Sequence, residues 1–277
     1  MRDRRFVQVD VFTAVPFKGN PVAVVLDAEG LGDAEMQAIA NWTNLSETTF
    51  VTPGDSGADY HVRIFTPRSE LPFAGHPTLG TAHAAIEAGL VSPRDGKVVQ
   101  HCAVGPVEVS VGKGLSFKLP RYAKFDAPEG LGEAIGGGHL LASPPQILDV
   151  GPRWAIAELV SAETVERLTP DLAALTAYDR AHGSTGLTVF APGGAGDITV
   201  RTFAPADGVP EDPVCGSGNG AVAAYRLLAG QIGDGTSYVA SQGRQVGRDG
   251  RVRVRIDGAD IHIGGDCVTC ISGTIRA

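Results

Sequence analysis

The chain has 277 residues, 43% of them hydrophobic and 19% charged, a composition that builds one large globular domain or two small ones. Its formal net charge of -8 offers no basic surface to neutralise phosphates, which sets nucleic acid aside as a partner. Four Cys are too few for a disulfide framework at this length and fit a reducing compartment.

From the start, residues 1–5 are charged, but Gln8 and Asp10 interrupt any apolar run behind them, so no signal peptide is expected. The apolar run 22–26 is far too short to cross a bilayer. A cytoplasmic protein with no membrane partner is therefore expected. Alternating or apolar runs predict strands over residues 6–12, 21–26 and 47–51. Between them residues 33–41 read as an amphipathic helix, with Asp33 as N-cap and Met36, Ile39 and Ala40 inward. A strand over 61–65 is stopped by Pro67, and a small-residue helix then runs from Gly75 to a C-terminal Gly89, with Leu79, Ala82, Ile86 and Leu90 at helical spacing. Strands follow over 97–104 and 107–111, and the first lobe is expected to close near residue 119. Gly136-Gly-Gly138 lacks the flanking strand and Lys of a phosphate loop and reads as a plain loop. Further strands are predicted over 154–160, 186–190, 199–203, 251–256 and 260–263. A second small-residue helix runs from Gly216 to Gly230, apolar nearly all round except at Arg226, and so belongs inside its lobe.

The order of these elements repeats. Val62-Arg-Ile-Phe-Thr-Pro67 reappears as Val200-Arg-Thr-Phe-Ala-Pro205, and the two first valines stand 138 positions apart (200 − 62), almost half the chain. In each copy a Gly-rich turn and a helix follow, so a duplication is expected. The predicted organisation is α+β, in two pseudo-symmetric lobes. The first covers residues 1–119, with the final strand 271–277 returning to it, and the second covers 120–270.

A helix N-terminus carries unpaired amides and a partial positive charge, so Gly75 and Gly216 are candidate grips for a small anionic substrate. Glycines that merely permit tight turns would look the same. Reactive side chains stand at both places: His76 in one, Asp212, Cys215 and Ser217 in the other.

Longer segments resemble a known family. Gly19-Asn-Pro-Val-Ala-Val24, Asn44-Leu-Ser-Glu-Thr-Thr-Phe-Val51, Arg63-Ile-Phe-Thr-Pro67, Glu70-Leu-Pro-Phe-Ala-Gly-His-Pro77, Glu211-Asp-Pro-Val-Cys-Gly-Ser217 and Ser272-Gly-Thr-Ile275 are similar to the signature segments of the PhzF family of phenazine-biosynthesis isomerases. The likeness runs from the first strand to the last. It implies the diaminopimelate epimerase-like fold, each lobe a β-barrel around a central helix. It also implies acid–base chemistry without a cofactor, in a homodimer, on a small cyclic carboxylate metabolite of a biosynthetic pathway.

By the same resemblance Glu47 is the proton-transferring residue, and His76 and Asp212 are the other polar catalytic positions. A carboxylate that takes a proton from one carbon and returns it to another works best with a pKa lifted to roughly 6–7. His76 at a helix start is expected to stay neutral and to donate a hydrogen bond to charge developing on the substrate. Asp212 either orients the substrate's amine or hydroxyl or caps the second helix. Ser217, with the Gly75 and Gly216 amides, is expected to hold the substrate carboxylate.

Cys215 marks a departure from the two-thiol racemases of this fold, which carry one Cys before the Gly of each helix start. Here the first such place holds Ala74. Two-thiol epimerisation is therefore disfavoured, and Cys215, placed among the substrate-binding residues, is either a catalytic thiol or a small buried residue. Gly218-Asn219 also departs from the Ala-rich continuation of the phenazine enzymes. Cys267-Val-Thr-Cys270 lacks the second pair a zinc site needs and reads as packing, its two Cys on opposite faces of a strand. His83 reads as a core or edge histidine, and His61, His101, His139, His182 and His262 show no metal-ligand spacing. The expected function is proton-shifting isomerisation. A lyase or hydrolase using the same Glu and a single-thiol epimerase are alternatives, and a non-catalytic binding protein is the least favoured.

Overall fold

The computed structural model describes the backbone of residues 1–277 and every side chain except that of His139, whose reading above lies outside the described side chains. In chain order the elements are β1 (Asp3–Val11), β2 (Asn20–Val25), α1 (Asp33–Thr43), β3 (Glu47–Asp55), β4 (Ala58–Phe65), β5 (Glu70–Leu71), α2 (Gly75–Glu87), β6 (Lys97–Cys102), β7 (Gly105–Gly112) and β8 (Gly114–Lys118). They continue as β9 (Ala123–Asp126), α3 (Leu131–Ala134), β10 (Gln146–Asp149), β11 (Arg153–Glu158), α4 (Ala162–Arg167), α5 (Leu172–His182), β12 (Gly186–Pro192) and β13 (Ile198–Ala204). The last are β14 (Val209–Asp212), α6 (Gly216–Leu228), β15 (Ser237–Gln242), β16 (Gly250–Asp257), β17 (Asp260–Gly265) and β18 (Cys267–Arg276). Two compact units divide the chain: Met1–Phe117 with Gly264–Ala277, and Lys118–Ile263.

The two units follow one pairing grammar. In the first, β18 and β2 flank β1 antiparallel, β2 runs parallel to β3, β3 antiparallel to β4, and β4 parallel to β6. In the second, β9 and β11 flank β10 antiparallel, β11 runs parallel to β12, β12 antiparallel to β13, and β13 parallel to β15. Parallel neighbours need a crossover, which is usually helical. Accordingly α1 joins β2 to β3, α4 and α5 join β11 to β12, α2 joins β4 to β6, and α6 joins β13 to β15. The central helices are packed on by their own strands: α2 lies against β1, β2, β3, β6, β7 and β18, and α6 against β10, β11, β12 and β16.

Small residues let these helices in close. A Cβ on Gly80 would stand 2.3 Å from Val22 Cγ1, and one on Gly218 2.7 Å from Thr188 Oγ1. Both helices end in the same motif. Gly89 and Gly230 adopt φ 69° and 70°, Leu90 N–H reaches Ala85 O and Gln231 N–H reaches Arg226 O, each at 2.9 Å. That is the Schellman closure the terminal glycines predict.

The repeated Val-Arg-x-Phe segment also has a common physical role. Arg63 on β4 forms a two-pronged ion pair with Glu70 on β5 and lies 5.1 Å over the Phe65 ring. Arg201 on β13 does the same with Glu211 on β14 and lies 4.9 Å over Phe203. The copies differ in depth: the Arg201 and Glu211 side chains are 7% and 11% exposed, those of Arg63 and Glu70 37% and 39%.

Several expectations are corrected. The N-cap of α1 is Gly32, whose N–H is taken by Glu35 (2.9 Å), while Asp33 turns its carboxylate to Arg63 (2.7 Å). The helix runs on to Thr43, where Asn44 closes it in the left-handed conformation. Helices α4 and α5 fall where none was predicted, although Asp171 caps α5 by accepting from Ala173 N and Ala174 N. The returning strand is longer than residues 271–277, pairing from Cys267 to Arg276 along β1. Its register shifts between Gln8 and Val9, which leaves Cys270 without a partner position in the ladder. Strict alternation therefore does not run through 267–270, and the opposite-face argument for the two thiols lapses. Both are free.

Candidate functional site

Glu47 is the first residue of β3, in register with Val22 of β2, and His76 is the second residue of α2. Thr81 Oγ1 donates to Thr49 Oγ1 at 2.8 Å, which ties the helix to the strand one turn further along. This brings Glu47 Oε2 to 3.2 Å from His76 Nε2, with the side chains 15% and 8% exposed. The two atoms approach this closely without the alignment of a hydrogen bond.

His76 hydrogen-bonds the backbone of Pro21. Proline offers only a carbonyl, and Nε2 makes no hydrogen bond, so Nδ1–H is the donor and Nε2 carries the lone pair. Burial, only partly offset by that hydrogen bond, pushes the imidazole pKa from 6.5 to about 3. The ring is therefore neutral at working pH and presents an acceptor towards Glu47. The expectation that His76 donates to the substrate is at odds with this arrangement, because its one N–H is spent on the Pro21 backbone. Next to the pair, Ser46 Oγ donates at 3.4 Å to Oδ1 of the fully buried Asn20, which belongs to the Gly19-Asn-Pro-Val-Ala-Val24 segment.

In the second unit the polar groups gather around the start of α6. The N-cap is Cys215, whose sulfur accepts from Gly218 N at 3.3 Å. Asp212 therefore does not cap the helix. Its Oδ1 accepts from Val214 N at 2.9 Å, and its carboxylate is also hydrogen-bonded to the Cys215 thiol. Ser217 Oγ lies 3.5 Å from Cys215 Sγ and accepts from Trp154 Nε1 at 3.1 Å. Gln242 braces the turn, donating to Asp212 O (3.1 Å) and accepting from Cys215 N (3.2 Å) and Asn219 Nδ2 (2.8 Å). The first unit has a counterpart: Gln100 Nε2 donates to Thr78 Oγ1 at 2.8 Å. Trp154 and Gln242 lie in no local motif, and Asn219 stands out in the sequence only as a departure from the Ala-rich continuation of the phenazine enzymes.

Part of Asp212 remains accessible, yet its carboxyl is surrounded by protein. Desolvation raises its pKa from 3.8 to about 6 against the opposing hydrogen bonds from Val214 and Cys215. The folded chain thus holds a proton that the unfolded chain has released, so stability falls as pH rises from 3.8 to about 6 and the loss is complete above it. His76 has the opposite slope: below 6.5 the unfolded chain takes up a proton that the folded chain refuses until about 3, so stability falls as pH falls. Asp212→Asn is accordingly expected to raise the urea midpoint at a pH well above 6 and to leave it unchanged at a pH below 3.8. Equal midpoint shifts at both pH values would contradict a desolvated Asp212.

The remaining candidates play other parts. Gly75 opens α2, and a Cβ there would meet Phe117 Cζ at 2.9 Å. Gly216 opens α6 and is buried. His83 Nε2 lies 3.1 Å from Thr269 Oγ1. His61 and His101 are less scattered than their numbering suggests, since β4 and β6 set their rings 5.0 Å apart. Among the described residues no group of three or more His, Cys, Asp or Glu is arranged to hold a metal ion, and no helix is long and apolar enough to cross a membrane.

Comparison with known proteins covers the same ground. The PhzC-PhzF family model, described as phenazine biosynthesis-like protein, matches residues 9–273. The chain is 40% identical to Antisense-enhancing sequence 1 of Schizosaccharomyces pombe, over 99% of each chain. It is 36% identical to trans-2,3-dihydro-3-hydroxyanthranilate isomerase of Pseudomonas fluorescens, over 98% of each. A crystal structure of a Bacillus anthracis phenazine biosynthesis protein of the PhzF family superposes with a TM-score of 0.89 at 26% identity, covering 100% of both chains.

Proposed function

The chain belongs to the phenazine biosynthesis-like PhzC-PhzF family, and from that premise we propose that it moves a proton between two carbons of a small cyclic carboxylate, with Glu47 as the carrier. It is an isomerase with the diaminopimelate epimerase-like fold. The observation that carries the proposal is the buried Glu47 carboxyl set 3.2 Å from a neutral His76 whose Nε2 makes no hydrogen bond.

A proton shift needs one group that accepts at one carbon and donates at the next. A carboxyl does both, and no redox cofactor is required because no electrons leave the substrate. The neutral Nε2 beside it offers a lone pair towards the carboxyl when that is protonated, and with a pKa of about 3 the imidazole does not itself take the proton up. Asp212 orients an amine or hydroxyl of the substrate, and Ser217 with the Gly216 amide holds its carboxylate.

The substrate named for the Pseudomonas fluorescens relative is the first to try. Trans-2,3-dihydro-3-hydroxyanthranilate carrying deuterium on the carbon that loses its proton should give a product of unchanged formula, apart from label exchanged with solvent, and react more slowly than the unlabelled compound. Loss of water, ammonia or carbon dioxide would convert the reading to a lyase using the same Glu. No turnover and no isotope exchange would end it for this substrate.

A further inference from the structure

The chain has two tryptophans, and they could hardly be placed more differently: Trp42 is 80% exposed, Trp154 only 4%. Trp154 sits on β11 in register with Gly186 of β12. Its indole N–H ends on Ser217 Oγ at 3.1 Å.

An indole nitrogen can only donate, whereas a hydroxyl both donates and accepts. Trp154 therefore occupies an accepting lone pair of Ser217 and turns the hydroxyl hydrogen away from the indole. The other neighbour of that hydroxyl is Cys215 Sγ at 3.5 Å, which already receives Gly218 N–H. Sulfur is a weak acceptor. The strongest hydrogen-bonding capacity left to Ser217 is thus donation, at the amide-bearing start of a 13-residue helix.

We propose that Trp154 is a positioning residue that makes Ser217 a fixed hydrogen-bond donor, so that the start of α6 selects an anionic acceptor, a carboxylate, over an ammonium group. The proposal rests on the reading of Ser217 as a substrate-binding group. Had Ser217 been free to rotate, it would have accepted from an amine as readily as it donates to an acid.

The test uses the full-length protein and anthranilate as the probe, an aromatic amino-carboxylate that needs no turnover to be measured. Trp154 is replaced site-specifically by 3-benzothienylalanine, which keeps both rings and puts sulfur where the N–H was, and separately by Phe. Calorimetric titration should show anthranilate bound roughly tenfold more weakly by either variant, the size of one hydrogen bond to a charged group. Affinity for aniline, which lacks the carboxylate, should not change. In a Ser217→Ala background the same Trp154 replacements should alter anthranilate affinity less than about twofold, because the group through which Trp154 acts is gone.

A full tenfold loss persisting in the Ser217→Ala background would mean that Trp154 serves packing alone and would overturn the proposal. So would anthranilate affinities that are indistinguishable between parent and variants, absence of binding included. Failure of the isomerase reading looks different: the dihydro substrate would not react, while the Trp154 and Ser217 effects on anthranilate stood.

Discussion

Glu47→Gln is expected to lower kcat by about 10²–10⁴, the usual contribution of a positioned acid–base group, with no loss of folding stability. Gln keeps the shape of Glu but carries no exchangeable acidic proton, so the shift between carbons stops. The effect on stability follows from His76. Its Nε2 is buried and makes no hydrogen bond, and its neutral ring offers a lone pair 3.2 Å from the position Glu47 occupies. The carboxamide of Gln can donate to that lone pair, which removes an unmet acceptor rather than creating one. The variant should therefore unfold at a denaturant midpoint equal to or above that of the parent. Retained turnover would remove Glu47 from the mechanism. A marked fall in the midpoint would show instead that the charged carboxylate supports the fold.

The second large effect concerns stability and uses the duplication as an internal control. Arg201→Ala is expected to cost about 3–5 kcal/mol, the penalty for breaking a buried pair and stranding one charge. Removing the guanidinium strands Glu211 at 11% exposure and also takes the donor from the carbonyls of Val165 and Leu168, held at 3.1 and 2.6 Å. The matching Arg63→Ala breaks a pair of the same two-pronged shape whose members keep 37% and 39% exposure. There water replaces the lost contacts, and the expected cost is about 1 kcal/mol or less. Urea denaturation of both variants decides the matter. Costs within error of each other would mean that burial does not govern these ion pairs.

The comparison also bears on what a sequence can carry. Val-Arg-x-Phe-x-Pro is recognisable in both copies because alternation and proline act over a few residues. That one copy lies at the surface and the other beneath α4 and the turn after it depends on helices inserted between β11 and β12. The cap of α5 at Asp171 and its left-handed Gly183 are local signals of the kind a sequence does carry. The N-cap of α6 was not legible as such. Cys is a poor capping residue by preference, so the sequence favours Asp212, whose side chain the turn at Val214 holds instead.

The sequence by itself determined the strand–loop–helix repeat, the two Gly-rich helix starts, the terminal glycines and the family to which the motifs belong. These are encoded within spans of a few residues or in long contiguous segments. Only the tertiary structure decided the tautomer of His76, set by the carbonyl of Pro21, the desolvation that lifts Asp212 to about 6, and the donor role that Trp154 gives Ser217. Each of these depends on partners brought together from distant parts of the chain and on water displaced by packing. Hydrogen-bond polarity and burial are properties of such neighbourhoods, and no local pattern of residues records them.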